Sequence, residues 1–191
     1  ALYHLTQGHV EGLPEGICPK EWLPTKAWPV AGMVGNEMDP SNGLQHGTLT
    51  TRTLWGELAW QIGGEEAFKL VQSSDVDGVA PGTPVIEKLV GDRPTLVMLD
   101  EFARYLRVAK AVSTANKKSD LAEQSVAFLM ALIEVAATKP NLVVVLTLAD
   151  SQDAFSKETE SVLVQCKEAQ RISARQERVL TPTGETEIAR I

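Results

Sequence analysis

The most informative part of the sequence is Arg93-Pro94-Thr95-Leu96-Val97-Met98-Leu99-Asp100-Glu101. Its run of apolar and β-favouring residues begins after Gly91 and Pro94 and ends at two acids, which predicts a short buried strand of a parallel sheet. Ligands of open α/β sheets bind in the crevice outside the carboxyl ends of the strands. The sequence therefore predicts a site at the end of this strand, where Asp100 and Glu101 lie.

Two adjacent carboxylates at such a position can do different chemistry. Asp100 can hold a hydrated Mg²⁺, because Mg²⁺ prefers carboxylate and water oxygens. Glu101 can polarise a water molecule that is aimed at a phosphoryl group. An apolar strand that ends in Asp-Glu also occurs by chance in many α/β proteins, so the pattern alone leaves the function open.

A second apolar run, residues 142–148, predicts another parallel strand, interior because it is apolar on both faces. Between the two runs lies the clearest amphipathic helix of the chain, which we expect Asp120 to cap and Lys139-Pro140 to end. Its predicted apolar face consists of Leu121, Phe128, Leu129, Leu132, Ile133 and Ala136. Strand, helix and strand of these lengths form a right-handed crossover, so residues 95–100 and 142–148 should be neighbouring strands.

The remaining segments predict further elements around this sheet. Residues 27–35 predict a strand. Because of Pro29 and Gly32, this strand should either start late or lie at the edge of the sheet. Residues 36–47 should form a tip loop, and Thr50 or Thr51 should cap a helix that Gly63-Gly64 ends. The other predicted elements are a helix tail over 1–7 that ends at Gly8, helices at 65–72, 84–90, 102–109 and 152–170, a loop at 75–82, and a short strand at 179–181.

The central stretch has the pattern of a Walker B segment, and other runs extend the likeness. They are Thr53-Leu54-Trp55-Gly56-Glu57-Leu58-Ala59-Trp60-Gln61, residues 99–105, and residues 173–183. These runs resemble a family of large prokaryotic AAA+-type ATPases, long described only as a domain of unknown function, whose members occur beside DNA methyltransferases in phage-defence gene clusters. The resemblance covers nearly all of the chain. It implies an α/β fold with a three-layer P-loop NTPase-like core over residues 1–191, its mostly parallel sheet flanked by helices, and the start of a lid helix at about residue 184.

The resemblance also indicates a missing part. No Gly-x-x-x-x-Gly-Lys-Ser/Thr motif occurs in the sequence, although that loop supplies most of the phosphate cradle. Members of the family carry it just before a helix that Ala1-Leu2-Tyr3-His4-Leu5 would continue, and the chain begins without Met. We therefore expect the chain to be an internal fragment of a longer parent that lacks the first strand and the P-loop. The isolated fragment should hold ATP and Mg²⁺ weakly or not at all.

The resemblance implies roles for residues at both strand ends. Asp100 would bind Mg²⁺, and Glu101 would orient the attacking water. Asp150 or Ser151 would take the sensor position that contacts the γ-phosphate, although Asp150 could instead cap the helix that follows. Thr147 is a weaker candidate, because the strand is expected to bury it.

The basic segment 171–178 lies where AAA+ proteins often place an arginine that reaches into a neighbouring subunit's site. A planar guanidinium suits that role because it stabilises charge on a phosphoryl group in transfer. The candidates are Arg171, Arg175 and Arg178, with Arg175 taken as the site residue. The alternative is a set of surface salt bridges with Glu168 and Glu177.

Composition limits the classes of protein. A chain of 191 residues has room for one domain with a core, and its net charge of −7 argues against an autonomous nucleic-acid-binding surface. Cys18 and Cys166 are interpreted as reduced cysteines without a metal, and the three histidines share no metal-site spacing. No apolar run approaches the roughly 20 residues of a membrane span, so a cytoplasmic protein is expected.

Two hypotheses follow. In the first, the chain is part of an ATPase that uses ATP and Mg²⁺, forms a homo-oligomer or contacts a neighbouring AAA+ subunit, and meets DNA only through its parent. In the second, it is a non-catalytic interaction module on a degenerate P-loop-like scaffold.

Overall fold

The computed structural model describes residues 2–9 and 19–148, together with Lys157, Glu158, Glu160, Val162 and Val164. In chain order the elements are α1 (Leu2–Thr6), a 3₁₀ turn (Lys20–Trp22), β1 (Val30–Val34), β2 (Leu44–His46), β3 (Leu49–Thr51), α2 (Leu54–Phe68), α3 (Gln72–Asp77), α4 (Thr83–Val90), β4 (Thr95–Asp100), α5 (Phe102–Ala109), α6 (Leu121–Thr138) and β5 (Leu142–Leu146).

Three parallel strands form the main sheet, in the order β1, β4, β5. The central strand is β4, in which Val97 pairs with Ala31 on one side and Val144 on the other. Its apolar residues are almost all buried, as the sequence predicts. The predicted parallel neighbours, 95–100 and the run beginning at 142, are confirmed. Within the described part of the chain β5 pairs only with β4, so the interior position expected for β5 is not seen there.

The strand predicted from residues 27–35 is β1, and it lies at an edge of the described sheet. It begins just after Pro29, whose carbonyl oxygen accepts a hydrogen bond from the N–H of Leu96. On its outer side the Gln61 side chain satisfies both backbone groups of Gly32: the N–H donates to Oε1 at 2.7 Å, and Nε2 donates to the carbonyl oxygen at 3.1 Å. A side-chain amide thus occupies this position of the edge as a neighbouring strand would.

Helices pack on the sheet and enclose one core. α2 contacts β1, α3 and α4, whereas α6 contacts α4, α5 and β5. Trp55 of α2 and Phe128 of α6 are fully buried, with ring centroids 5.6 Å apart. Trp55 therefore packs in the core between α2 and α6.

Asp120 caps α6 as predicted, because its Oδ1 accepts the N–H of Glu123 at 2.8 Å. Of the predicted apolar face, Leu121, Phe128, Leu129 and Leu132 are buried, whereas Ile133 and Ala136 are partly buried. By length and composition alone α6 could cross a membrane, with a mean hydropathy of 1.4 over 18 residues. Two glutamates interrupt it, and its buried face packs against α4, α5 and β5.

The expected loop 36–47 was partly wrong, because β2 and β3 pair as an antiparallel hairpin with its turn at Gly47 (φ +63°). Thr50 and Thr51 therefore belong to a strand. The cap of α2 is Thr53, whose Oγ1 accepts the N–H of Gly56 at 3.0 Å. Short strands with polar side chains carry little periodicity, which is why the pattern predicted a loop there.

The predicted break at Gly63-Gly64 is confirmed as a kink inside α2, where Gly64 has φ +62°. The helix after it ends at Phe68 rather than Gln72, and residues 72–77 form α3 where a loop was partly expected. The described positions of the predicted helix 152–170 are helical, and Val162 is buried. The strand 179–181 and the lid helix lie outside the described residues.

Candidate functional site

The two acids lie at the carboxyl end of the central strand, as the sequence predicts. Asp100 is the last residue of β4, and Glu101 occupies the position just before α5. Both are exposed to solvent. The edge of the sheet therefore presents two carboxylates that a ligand can reach.

Thr147 joins them, because it is the first residue beyond β5. Its hydroxyl donates to Oδ1 of Asp100 and accepts the backbone N–H of Glu101 at 3.0 Å. The expectation that the strand buries Thr147 is wrong: β5 ends one residue earlier, and the side chain is exposed. One more ladder bond, from the Thr147 N–H to the carbonyl oxygen of Leu99 at 2.9 Å, fixes Thr147 at this edge.

Glu101 has a left-handed backbone, with φ 51° and ψ 38°. A residue with a Cβ pays about 1–2 kcal/mol for this conformation, and strain of this kind clusters at functional sites. The surroundings hold it there. Its N–H is bound by Thr147 and by Oδ1 of Asp100, both at 3.0 Å, and its carbonyl oxygen accepts the N–H of Arg104 at 2.9 Å.

The loop after β1 packs directly against this residue. A Cβ on Gly35 would overlap the carbonyl oxygen of Glu101, so the approach requires glycine. The N–H of Gly35 also donates to the carbonyl oxygen of Asp100 at 2.8 Å. The ends of β1, β4 and β5 thus converge at one place. Gly35 was not among the predicted site residues, although a glycine at the end of a predicted strand is a signal for a close backbone approach.

The side chain of Glu101 is held loosely. Its Oε2 lies 3.3 Å from Nη1 of Arg104, and both side chains are about half exposed, at 45% and 49%. An exposed pair of this kind contributes little to stability. The Glu101 carboxylate can therefore turn toward a ligand at small energetic cost.

The donor set suits a magnesium ion that brings its own ligands. Oδ1 of Asp100 is engaged by Thr147 and Glu101, whereas Oδ2 has no hydrogen-bond partner among the described residues. No group of three or more metal-ligating side chains occurs in that part of the chain. Mg²⁺ is usually bound by one or two carboxylates, with waters and phosphate oxygens as its other ligands. A metal that is held by protein alone needs more side-chain ligands than this site offers.

Three predicted site residues, Asp150, Ser151 and Arg175, lie outside the described residues, as do Arg171 and Arg178. Of the candidates in the described part, Asp100, Glu101 and Thr147 are brought together by hydrogen bonds. The weaker sequence candidate is thus the one that touches both acids.

These features define the class: an α/β protein with a parallel sheet flanked by helices and a polar site at the carboxyl ends of its strands. Residues 30–181 match the model of the DUF499 N-terminal domain, and the chain belongs to that family. No curated protein and no solved structure matches the chain.

Proposed function

We propose that this chain is part of an AAA+-like module that binds and hydrolyses ATP, with Asp100 holding Mg²⁺ and Glu101 orienting the attacking water. The observation that carries the proposal is the hydrogen-bonded group of Asp100, Glu101 and Thr147 at the ends of two adjacent parallel strands. Crevices at that edge are the ligand sites of α/β sheets. The strained backbone of Glu101 supports the same assignment, because such strain persists where the surroundings impose it for function.

Thr147 has a role in this scheme. Its hydroxyl contacts the proposed metal ligand and the backbone of the proposed base, so it holds the two in a fixed relation to each other. Asp150 and Ser151 are the other candidates for the sensor position, and Arg175 is the candidate that would act on a neighbouring subunit.

The P-loop of this module would come from residues of a longer parent, since the sequence contains no such motif. A role in a DNA-related or phage-defence system belongs to the same proposal and rests on the resemblance alone. The expected cytoplasmic location is proposed with it. The absent motif is also the observation that favours the second candidate, a non-catalytic interaction module on a degenerate scaffold.

The matched pair Thr147→Val and Thr147→Ser tests the proposal in a parent that carries the P-loop. Valine keeps the shape but removes the hydroxyl, whereas serine keeps it. We expect ATP turnover to fall about tenfold or more with valine and to stay near wild type with serine, which corresponds to losing one or two hydrogen bonds to charged or backbone groups. A parent with no turnover contradicts the proposal and favours the interaction module. Equal turnover in both variants would contradict the role of the Thr147 hydroxyl.

A further inference from the structure

A second concave site lies at the hairpin, built from residues that the strand-end site does not use. A cavity of about 460 Å³ is lined by β2, β3 and the residues beside them, by α2, and by α3. That volume is within the range of small-molecule sites, about 300–1,000 Å³. The lining combines aromatic, hydroxyl and charged side chains, among them His46, Arg52, Trp60 and Phe68.

The imidazole of His46 is held in a fixed orientation. Its Nε2 lies 2.7 Å from Oε2 of Glu57, and its ring stacks on Trp60 with centroids 4.7 Å apart and planes at 23°. Glu57 is only 3% exposed and also accepts hydrogen bonds from Thr51 at 2.6 Å and Gln61 at 2.7 Å. Those donors require an ionised carboxylate, so Nε2 carries the hydrogen and Nδ1 is the free nitrogen.

Nδ1 of His46 has no hydrogen-bond partner among the described residues, although its ring lines the cavity. A histidine oriented by a buried carboxylate is a ready acceptor in its neutral form. In its charged form it is a donor whose charge the carboxylate offsets. Either form can bind a polar group of a ligand.

Arg52 supplies a cation at the rim of the cavity. Its backbone N–H donates to both oxygens of the buried Asp75, at 3.0 and 3.1 Å, which anchors the residue at the rim. In the described part of the chain no carboxylate lies within 4 Å of its guanidinium, although the charge of Arg52 acts on the buried Asp75 carboxylate. Glu65, which also lines the cavity, shares Lys69 with Glu66, at 3.6 and 2.6 Å. In a protein of net charge −7, an arginine without an ion pair beside a cavity is suited to an oxyanion.

From this arrangement we infer that the cavity is a binding site for a small molecule that joins an oxyanion to a planar ring, the class to which mononucleotides belong. Arg52 binds the oxyanion, His46 pairs with a polar group of the ring, and Trp60 and Phe68 provide the apolar wall. The site is independent of the ATP chemistry proposed above, since it needs neither Mg²⁺ nor the residues at the strand ends. The acidic net charge of the chain favours a free nucleotide over a nucleic-acid strand.

Calorimetric titration of the chain in low salt with EDTA tests the inference, with AMP as the whole ligand and adenosine and inorganic phosphate as its halves. We expect AMP to bind at least about tenfold more tightly than either half. Arg52→Gln should lower AMP affinity to about that of adenosine and leave adenosine binding unchanged, because only the oxyanion contact is lost. Trp60→Leu should weaken both AMP and adenosine, because it removes part of the apolar wall and the ring on which His46 stacks.

The control is Arg93→Gln, which removes an exposed guanidinium outside the cavity and should leave AMP binding unchanged. Arg52→Gln is the decisive variant, because its side chain makes no ion pair on which the described fold depends. The inference is overturned if AMP does not bind, if AMP binds no tighter than phosphate, or if Arg93→Gln weakens AMP as much as Arg52→Gln.

Discussion

The hydroxyl of Thr147 accepts the backbone N–H of Glu101 at 3.0 Å, which ties the first residue after β5 to the first residue after β4. The bond satisfies a donor at the start of α5 with a side chain 46 positions away in sequence. It holds Glu101 in a conformation that its Cβ disfavours. The position of the proposed base is therefore imposed by its neighbour and is not a local preference of the chain.

Glycine at position 101 should stabilise the fold relative to alanine. Because φ is 51° at this position, we expect Glu101→Gly to be about 1 kcal/mol more stable than Glu101→Ala in urea unfolding. Glu87, an exposed residue inside α4, provides the control with the opposite sign. At that position the Glu87→Gly variant should be about 1 kcal/mol less stable than the Glu87→Ala variant. Equal stabilities of the two variants at position 101 would show that the backbone is not strained.

Gly56 leaves space for a buried carboxylate. A Cβ there would overlap Oδ1 of Asp75, which is 1% exposed and accepts hydrogen bonds from the backbone N–H of Thr53 at 2.9 Å and from its hydroxyl at 2.6 Å. Gly56→Ala should cost about 2–3 kcal/mol of unfolding free energy, as should Asp75→Ala, because each leaves buried donors without their acceptor. Alanine's better helix propensity does not offset this.

The double variant of these two positions should cost clearly less than the sum of the single costs, since both act on the same hydrogen bonds. Gly32→Ala is the control, because a Cβ there meets only ordinary contact with Met98, and the change should stay within about 1 kcal/mol. If the costs of Gly56→Ala and Asp75→Ala added up in the double variant, the two changes would not act on the same hydrogen bonds.

Glu57 should make stability depend on pH. Burial raises the pKa of its carboxyl, but hydrogen bonds from Gln61, Thr51 and His46 together outweigh burial and hold the pKa below the ordinary 4.5. A carboxyl whose pKa is lowered in the folded state stabilises the fold fully above its unfolded pKa, and this contribution is lost as pH falls through the folded pKa. Glu57→Gln should therefore be less stable than wild type at pH 7, with the difference shrinking below about pH 4.5.

Asp75 acts in the opposite sense, because burial outweighs its hydrogen bonds and raises its pKa. It is present in both proteins, so it cancels from the difference between wild type and Glu57→Gln. Unfolding free energies of the two proteins between about pH 3 and 7 make the measurement. A difference that stays constant over that range would mean that the Glu57 carboxyl keeps its ordinary pKa.

The sequence predicted the parts of the fold that depend on long apolar runs. β4, β5 and α6 each have enough consecutive or periodic apolar residues to be recognised, and the acids at the end of β4 follow from the strand itself. The β2–β3 hairpin could not be recognised in this way, because its strands have three residues each and include polar side chains.

The site was predictable in outline only. Whether Thr147 is buried depends on the one residue at which the ladder of β5 ends, which an apolar run does not define. The left-handed backbone of Glu101 depends on Thr147, 46 positions away, and the environment of Glu57 depends on its contacts with the β2–β3 hairpin. Composition and periodicity carry no signal for such contacts.

The most direct test of the proposed function is the variant Glu101→Gln in a parent that carries the P-loop, with Asp100→Asn beside it. Glutamine keeps the size and hydrogen bonding of the side chain but removes the charge that polarises water. We expect nucleotide binding to persist while steady-state ATP turnover falls about 10²- to 10⁴-fold, the range for losing a general base. Asp100→Asn should also weaken Mg²⁺-dependent binding, because an amide does not replace a carboxylate in the metal's shell. Near-full turnover of Glu101→Gln would contradict the assignment of the catalytic water to Glu101.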